Sequence, residues 1–136
     1  KISDAENEAL QALPGFIGNI QSSGDALPAG RIDLATLRRA GVNVPSPFVR
    51  GARLASFWGE ATLSKAGKRL TLDLFGPRRS VCRNLLAGFS RISGVARVAT
   101  TATLADEQIA PVTDEQAAKA CAPLTGFVRL VLDLHP

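Results

Sequence analysis

Residues 69–89 read RLTLDLFGPRRSVCRNLLAGF, and the hydrophobic period changes within them from two residues to about 3.6. Leu70, Leu72 and Leu74 fall on one face and Arg69, Thr71 and Asp73 on the other, the alternation of a half-buried strand. Gly76-Pro77 breaks the strand and opens a helix, with Pro at the first helical position, where its missing N–H costs nothing. From there Val81, Cys82, Leu85, Leu86, Phe89 and Ile92 form one apolar stripe, which Ser93-Gly94 ends. Arg78, Arg79, Arg83 and Arg91 keep to the wet side of that helix.

Working outward, Arg53 to Trp58 and Ala61 to Lys65 read as further strands, with Ala66-Gly67-Lys68 as a hairpin turn. Val95 to Leu104 and Phe127 to Leu134 read as strands on the far side. Between these two, Thr113 and Gln116 make a capping box that opens a short helix carrying Ala117, Ala118 and Cys121. At the start of the chain Ser3-Asp4-Ala5-Glu6 fits another capping box, and Ala5, Ala9, Leu10, Ala12 and Leu13 follow with helical spacing. Pro14-Gly15 is expected to end or kink that helix, leaving Phe16, Ile17 and Ile20 to a second segment closed by Ser22-Ser23-Gly24-Asp25. A loop runs through Gly30. Asp33 caps a short helix from Leu34 to Ala40, which Gly41 stops. Val44-Pro45-Ser46-Pro47-Phe48 is expected to be extended, because residues before Pro avoid the helical region. Helices first, then antiparallel strands interrupted by helices, give an α+β domain.

The whole chain is 136 residues, one domain's worth, and a domain of that size removes roughly 68% of its unfolded surface from water. Hydrophobic residues at 46% and charged residues at 21% exclude general disorder. No apolar run is long enough to cross a membrane, and no internal period points to a solenoid or propeller. The chain holds no Met, so Lys1 is not expected to be a natural translation start, and a piece upstream is expected to be missing. The two cysteines, Cys82 and Cys121, are either two buried thiols of a cytosolic protein or one disulfide of an exported one. Both lie on helix faces that pack on the same sheet, a placement that permits a bridge.

The net charge of +4 is unevenly spread. Residues 1–49 carry a net −1, residues 50–97 a net +8 and residues 98–136 a net −3. A basic middle between acidic ends suits either a polyanion or the acidic face of another copy. Nucleic acid is disfavoured, because stacking platforms are scarce: no Tyr, one Trp and six Phe. No catalytic residue and no metal site is expected. The single histidine, His135, is penultimate and reads as part of a frayed tail. Adjacent carboxylates occur at Asp106-Glu107 and Asp114-Glu115, and the second pair sits in the first turn of a helix, where acids complement the macrodipole. Thr62 to Arg69 fails as a phosphate loop, since Thr62 and Arg69 occupy the positions that need Gly and Ser or Thr. No cofactor is called for.

Three stretches together resemble the globular head of a type IVb pilin, of the toxin-coregulated and thin-pilus kind found in Gram-negative bacteria. Gly30-Arg31-Ile32 through Gly41, followed by Pro45-Ser46-Pro47-Phe48, is similar to the short helix and Asn-Pro-aromatic turn after the pilin's long helix, with Ser46 where Asn is frequent. Leu70 through Pro77, then Val81-Cys82-Arg83-Asn84-Leu85-Leu86, resembles the strand running into the helix with the first cysteine. Ala117-Ala118-Lys119-Ala120-Cys121, then Phe127-Val128-Arg129-Leu130, resembles the helix of the second cysteine and the terminal strand.

The resemblance implies a pilin αβ-roll, an N-terminal helix packed on a twisted antiparallel sheet. It implies a single head domain over 1–136, with 1–24 as the remainder of the long helix, 25–51 as the αβ-loop region and 52–136 as the sheet and disulfide-bounded region. The helix is expected to be continuous into the head, which makes Ser3 a mid-helix serine. Cys82 and Cys121 are then the disulfide that bounds the variable C-terminal region. The full precursor is expected to carry a short basic leader, removed by a prepilin peptidase, and about 25 apolar residues ahead of the head.

The function implied is non-enzymatic: a structural subunit that self-assembles, through the pilus assembly machinery, into an extracellular filament. Adhesion, bacterial aggregation and virulence follow from that role. Localisation is the filament, with the inner membrane before assembly, and the membrane is met only through the missing N-terminal helix. Arg78, Arg79, Arg83 and Arg91 are the candidate subunit-interface or polyanion contacts. The same resemblance leaves room for a minor pilin or a type II secretion pseudopilin. From another class, a secreted domain binding an anionic partner through the Arg-rich helix is the alternative.

Overall fold

The computed structural model describes residues 3–92, 94–122 and 126–134. Lys1, Ser93 and His135 therefore lie outside the described residues. The architecture grows from a hairpin. Strand β4 (Ala61–Ala66) pairs with β5 (Arg69–Phe75), and the turn between them is Gly67-Lys68, with Gly67 at φ +61°. That left-handed backbone is the reason glycine stands there. Strand β8 (Phe127–Asp133) lies along the other side of β5, and β6 (Val95–Thr100) lies beyond it. Two short strands close the edges, β1 (Gly30–Ile32) against β4 and β7 (Gln108–Ile109) against β6. The six-stranded sheet thus runs β1-β4-β5-β8-β6-β7, with every pair antiparallel.

Register decides which residues make the core. Leu63, Leu72, Leu130 and Val98 face one another across four strands, and all four are fully buried. Leu70 and Leu132 make the row on one side of it, and Leu74 and Val128 the row on the other. A one-residue slip would turn this entire set to water, so the alternation read in residues 69–75 specifies the sheet. On the opposite face Asp73 stands directly across from Arg129 and accepts two hydrogen bonds from its guanidinium, at 2.8 and 3.0 Å. Glu107 adds a second carboxylate 3.7 Å from Arg129.

Helix α1 (Asp4–Ser22) contributes Leu10, Leu13, Phe16, Ile17 and Ile20 to the same core. It is one helix, not the two segments that Pro14-Gly15 led the sequence reading to expect. Pro14 and Gly15 are both exposed, so the proline ring and the lost hydrogen bond sit on the solvent side. The apolar residues before and after them remain on one buried stripe, and that burial outweighs the local break. Ser3 is the N-cap, its Oγ accepting from the Glu6 N–H, and does not lie inside the helix. Past the helix end, the Lys65 ammonium donates to the Gly24 and Leu27 carbonyls at 2.8 Å each. The Gly24 carbonyl also accepts from the Leu27 N–H, so the ammonium fastens the turn that follows α1 to strand β4.

The remaining elements follow their local signals with four corrections. Helix α2 (Leu34–Arg39) is capped by the Asp33 carboxylate, which accepts from the Thr36 N–H, and the chain leaves it through Gly41 at φ +84°. Ser46–Phe48 is not extended but a 3-10 turn, which swings Phe48 inward onto Phe16, ring centroids 4.9 Å apart. Arg53–Trp58 is not one strand. Arg53–Leu54 (β3) pairs with Val49–Arg50 (β2), Ala55 makes a single antiparallel bridge to Glu60, and Ser56 turns the chain back by accepting the N–H groups of Trp58 and Gly59 on its Oγ. Helix α3 spans Arg79–Phe89, two residues later than Pro77, with Arg78 as its extended N-cap tied by its side chain to Glu6, and Gly76 at φ +102° packs against the Trp58 carbonyl where a Cβ would collide. Strand β6 stops at Thr100, short of Leu104, where Thr100 and Thr103 cap a 3-10 turn reciprocally. Helix α4 (Asp114–Ala120) opens on the Thr113/Gln116 capping box read from sequence. Cys82 in α3 and Cys121 at the C-cap of α4 form a disulfide, with Cα atoms 5.9 Å apart.

Candidate assembly surface

The arginines at and around helix α3 fall into two groups. Arg78 is the N-cap residue, with extended backbone, and its guanidinium reaches back across 72 residues to α1. There it donates to both carboxylate oxygens of Glu6, at 2.6 and 2.8 Å. Glu6 is only 2% exposed, and the Trp58 indole N–H donates to it as well, at 2.6 Å. One carboxylate thus ties together the first turn of α1, the Ser56–Gly59 turn and the start of α3. This replaces the full capping box expected at Ser3: the Glu6 backbone uses the serine, but its side chain is spent on Arg78 and Trp58.

The hydrogen bonds from Arg78, opposed by burial and helped by Trp58, hold the Glu6 carboxyl below its ordinary value of 4.5. A carboxyl depressed in the folded state stabilises the fold above its unfolded-state value and ceases to do so as pH falls through its folded-state value. Stability is therefore expected to be insensitive to this group from neutral pH down to about 4.5 and to fall below it. Melting curves of Glu6→Gln should show a shallower acid decline than the parent, starting from a lower plateau at neutral pH. Arg78→Ala, which leaves a buried carboxylate without its cation, should lower the neutral-pH melting temperature by several degrees. Arg83→Ala should move it by no more than about 2 °C. Equal shifts for the two arginine variants would contradict the ion pair.

Arg79 and Arg83 are exposed and have no acidic partner among the described residues. Arg91, beyond the helix end, turns its Nε–H to the Ala87 carbonyl at 3.2 Å. Arg83, Asn84 and Arg91 line one wall of an open groove of about 450 Å³, and Asp114 and Ala117 of α4 line the other. The groove offers cationic donors beside an acid, an arrangement that can hold a carboxylate of a second chain by charge-assisted hydrogen bonds. Among the described residues no cluster of three His, Cys, Asp or Glu side chains could hold a metal ion. No described helix is long and apolar enough to cross a membrane.

Similarity enters at the level of the fold. A search of solved structures matches a type IVb pilin from Salmonella typhi with a TM-score of 0.54 and 19% identity. The match covers 90% of this chain and 99% of that one. The fold is that of a type IVb pilin. No protein-family model and no curated protein matches the sequence.

Within that fold the N-terminal helix, the antiparallel sheet and the Cys82–Cys121 disulfide are present as the resemblance implied, although α1 starts at the Ser3 cap and does not run through it. Sequence reasoning missed Glu6 and Trp58. The signal was present: Glu6 lies in register with Ala9, Leu10 and Leu13 on the apolar stripe of α1, and a carboxylate there requires a partner. It also missed the Asp73, Arg129 and Glu107 network, whose members are separated by up to 56 residues and meet only through strand pairing.

Proposed function

We propose that this chain is the head of a pilin-type structural subunit, which polymerises into an extracellular filament serving adhesion and bacterial aggregation. The observation that carries the reading is the fold match over nearly the whole of both chains. In the filament, apolar helices upstream of α1 bundle at the centre, and heads pack sideways around them. Residues 1–24 form the N-terminal helix region of the head, in which α1 starts at the Ser3 cap, and residues 25–51 and 52–136 form the loop region and the sheet region. The partner is another copy, with export through pilus assembly machinery after cleavage by a prepilin peptidase. The subunit resides in the inner membrane before assembly, and no step requires catalysis or a cofactor.

Charge supports the packing of heads. Arg79 and Arg83 lie in the basic block, Arg83 on the groove wall opposite Asp114, while the residues after Val98 carry a net −3. Opposite fields on neighbouring copies would speed association and set register. The test is the native precursor: the gene upstream of the Lys1 codon should encode a short basic leader and then about 25 apolar residues. An ordinary cleavable signal, or no apolar stretch, would remove the filament core and overturn the reading. The secreted anion-binding domain would then account for the arginines.

A further inference from the structure

Two helix faces in this molecule have no partner inside the chain. On α1, Asp4, Glu8, Gln11, Gly15 and Ser22 are exposed and Gly18 is half-buried, all opposite the buried stripe. They recur at alternating steps of four and three residues, the spacing of a helix-packing seam. Glycine inside a helix is costly, yet a Cβ at Gly15 or Gly18 would meet nothing within 4 Å. Packing inside the chain therefore asks for neither glycine. On α3, Ser80, Asn84 and Ala87, with Arg91 past the helix end, repeat at the same steps along the α3–α4 groove. Asp114, on the α4 wall, is the groove's one acid against Arg83 and Arg91. Arg79 and Arg83 stand four residues apart beside this second seam, the separation of Asp4 and Glu8 on the first. None of these four charges is in an ion pair among the described residues, and α1 holds no basic residue of its own.

We infer that the open face of α1 seats along the arginine-bearing face of α3 on a second copy, with the two helices parallel. The direction follows from the head itself. Arg78 at the start of α3 is tied to Glu6 near the start of α1, and Gly94 beyond the end of α3 lies against Gln21 near the end of α1. The two helices thus run the same way in one head, and copies stacked with one polarity present them the same way to each other. In the parallel direction Asp4 comes level with Arg79, Glu8 with Arg83 and Gln11 with Ala87, and Gly15 leaves room for the long Arg91 side chain. Charge-assisted hydrogen bonds at two successive turns fix that register. A small anionic ligand would account for the arginines but not for the acids and glycines of α1. The inference rests on the filament reading, in which the second copy is the neighbouring head.

Asp4→Lys with Glu8→Lys, and separately Arg79→Glu with Arg83→Glu, should each lower the yield of filaments sheared from cells about tenfold or more, since like charges then face each other. The four substitutions together should restore the yield to within about threefold of the parent. All four side chains are exposed, so purified heads of these variants should melt within a few degrees of the parent. Gly15→Leu should also cut the yield, by bulk alone, while its head melts no lower than the parent, because leucine favours the helix and meets no neighbour there. Filaments indifferent to both charge pairs, or a quadruple variant no better than either pair, would overturn the contact and leave the filament reading intact. A parent that makes no filaments would overturn the filament reading, and the contact with it.

Discussion

Replacing Cys82 and Cys121 together by alanine should lower the unfolding free energy by about 4 kcal/mol. The bridge closes a loop whose ends are 39 residues apart, and on the chain-entropy model a loop of that length restricts the unfolded chain by that amount. For a domain of this size the loss corresponds to a melting temperature roughly 15 °C lower. The effect should be seen equally on reduction of the parent, which breaks the bond without changing any side-chain volume. Both cysteines are buried, at 2% and 1% exposure, so reduction should be slow until the domain opens. The loosened part should be α4, which the bridge fastens to α3, and amide exchange from Ala117 to Cys121 should accelerate first. A loss under about 1 kcal/mol in both experiments would mean that the bridge restrains little in the unfolded chain.

Phe16→Ala should cost about 3–5 kcal/mol, the range for removing a large buried aromatic. Phe16 is fully buried on the half of α1 that follows Pro14, and it stacks on Phe48 of the 3-10 turn. It therefore holds both the second half of α1 and the return of the loop region. The measurement is urea unfolding with the slope held as a check: the midpoint should fall while the slope stays that of the parent. A cost below about 1 kcal/mol would contradict a single α1 packed along its whole length.

How far the sequence carried the fold depends on where the deciding interactions lie. The strand at 69–75, the Gly67-Lys68 turn, the Asp33 cap and the Thr113/Gln116 box were legible because each rests on residues within a few positions of one another. The continuity of α1 was not, because Pro14 is a local breaker and the burial that overrides it comes from the sheet. The edge strands β1 and β7 have three and two residues, too few for a period, and exist only by pairing with β4 and β6. Arg53–Trp58 was misread because its apolar residues suit a strand, whereas the Ser56 side chain competes for the backbone and turns it. At the candidate surface, exposure of Arg79 and Arg83 was legible from helical phase. The diversion of Arg78 to Glu6 was not, since a helix wheel carries no information about a partner 72 residues away.

Electron microscopy of filaments sheared from the cells that make this protein, labelled with antibody to residues 1–136, tests the central claim most directly. The account predicts thin filaments decorated along their length, with the chain as the labelled component and disassembly promoted by high salt. Antigen confined to the soluble or periplasmic fraction, with any surface filaments left unlabelled, would contradict it.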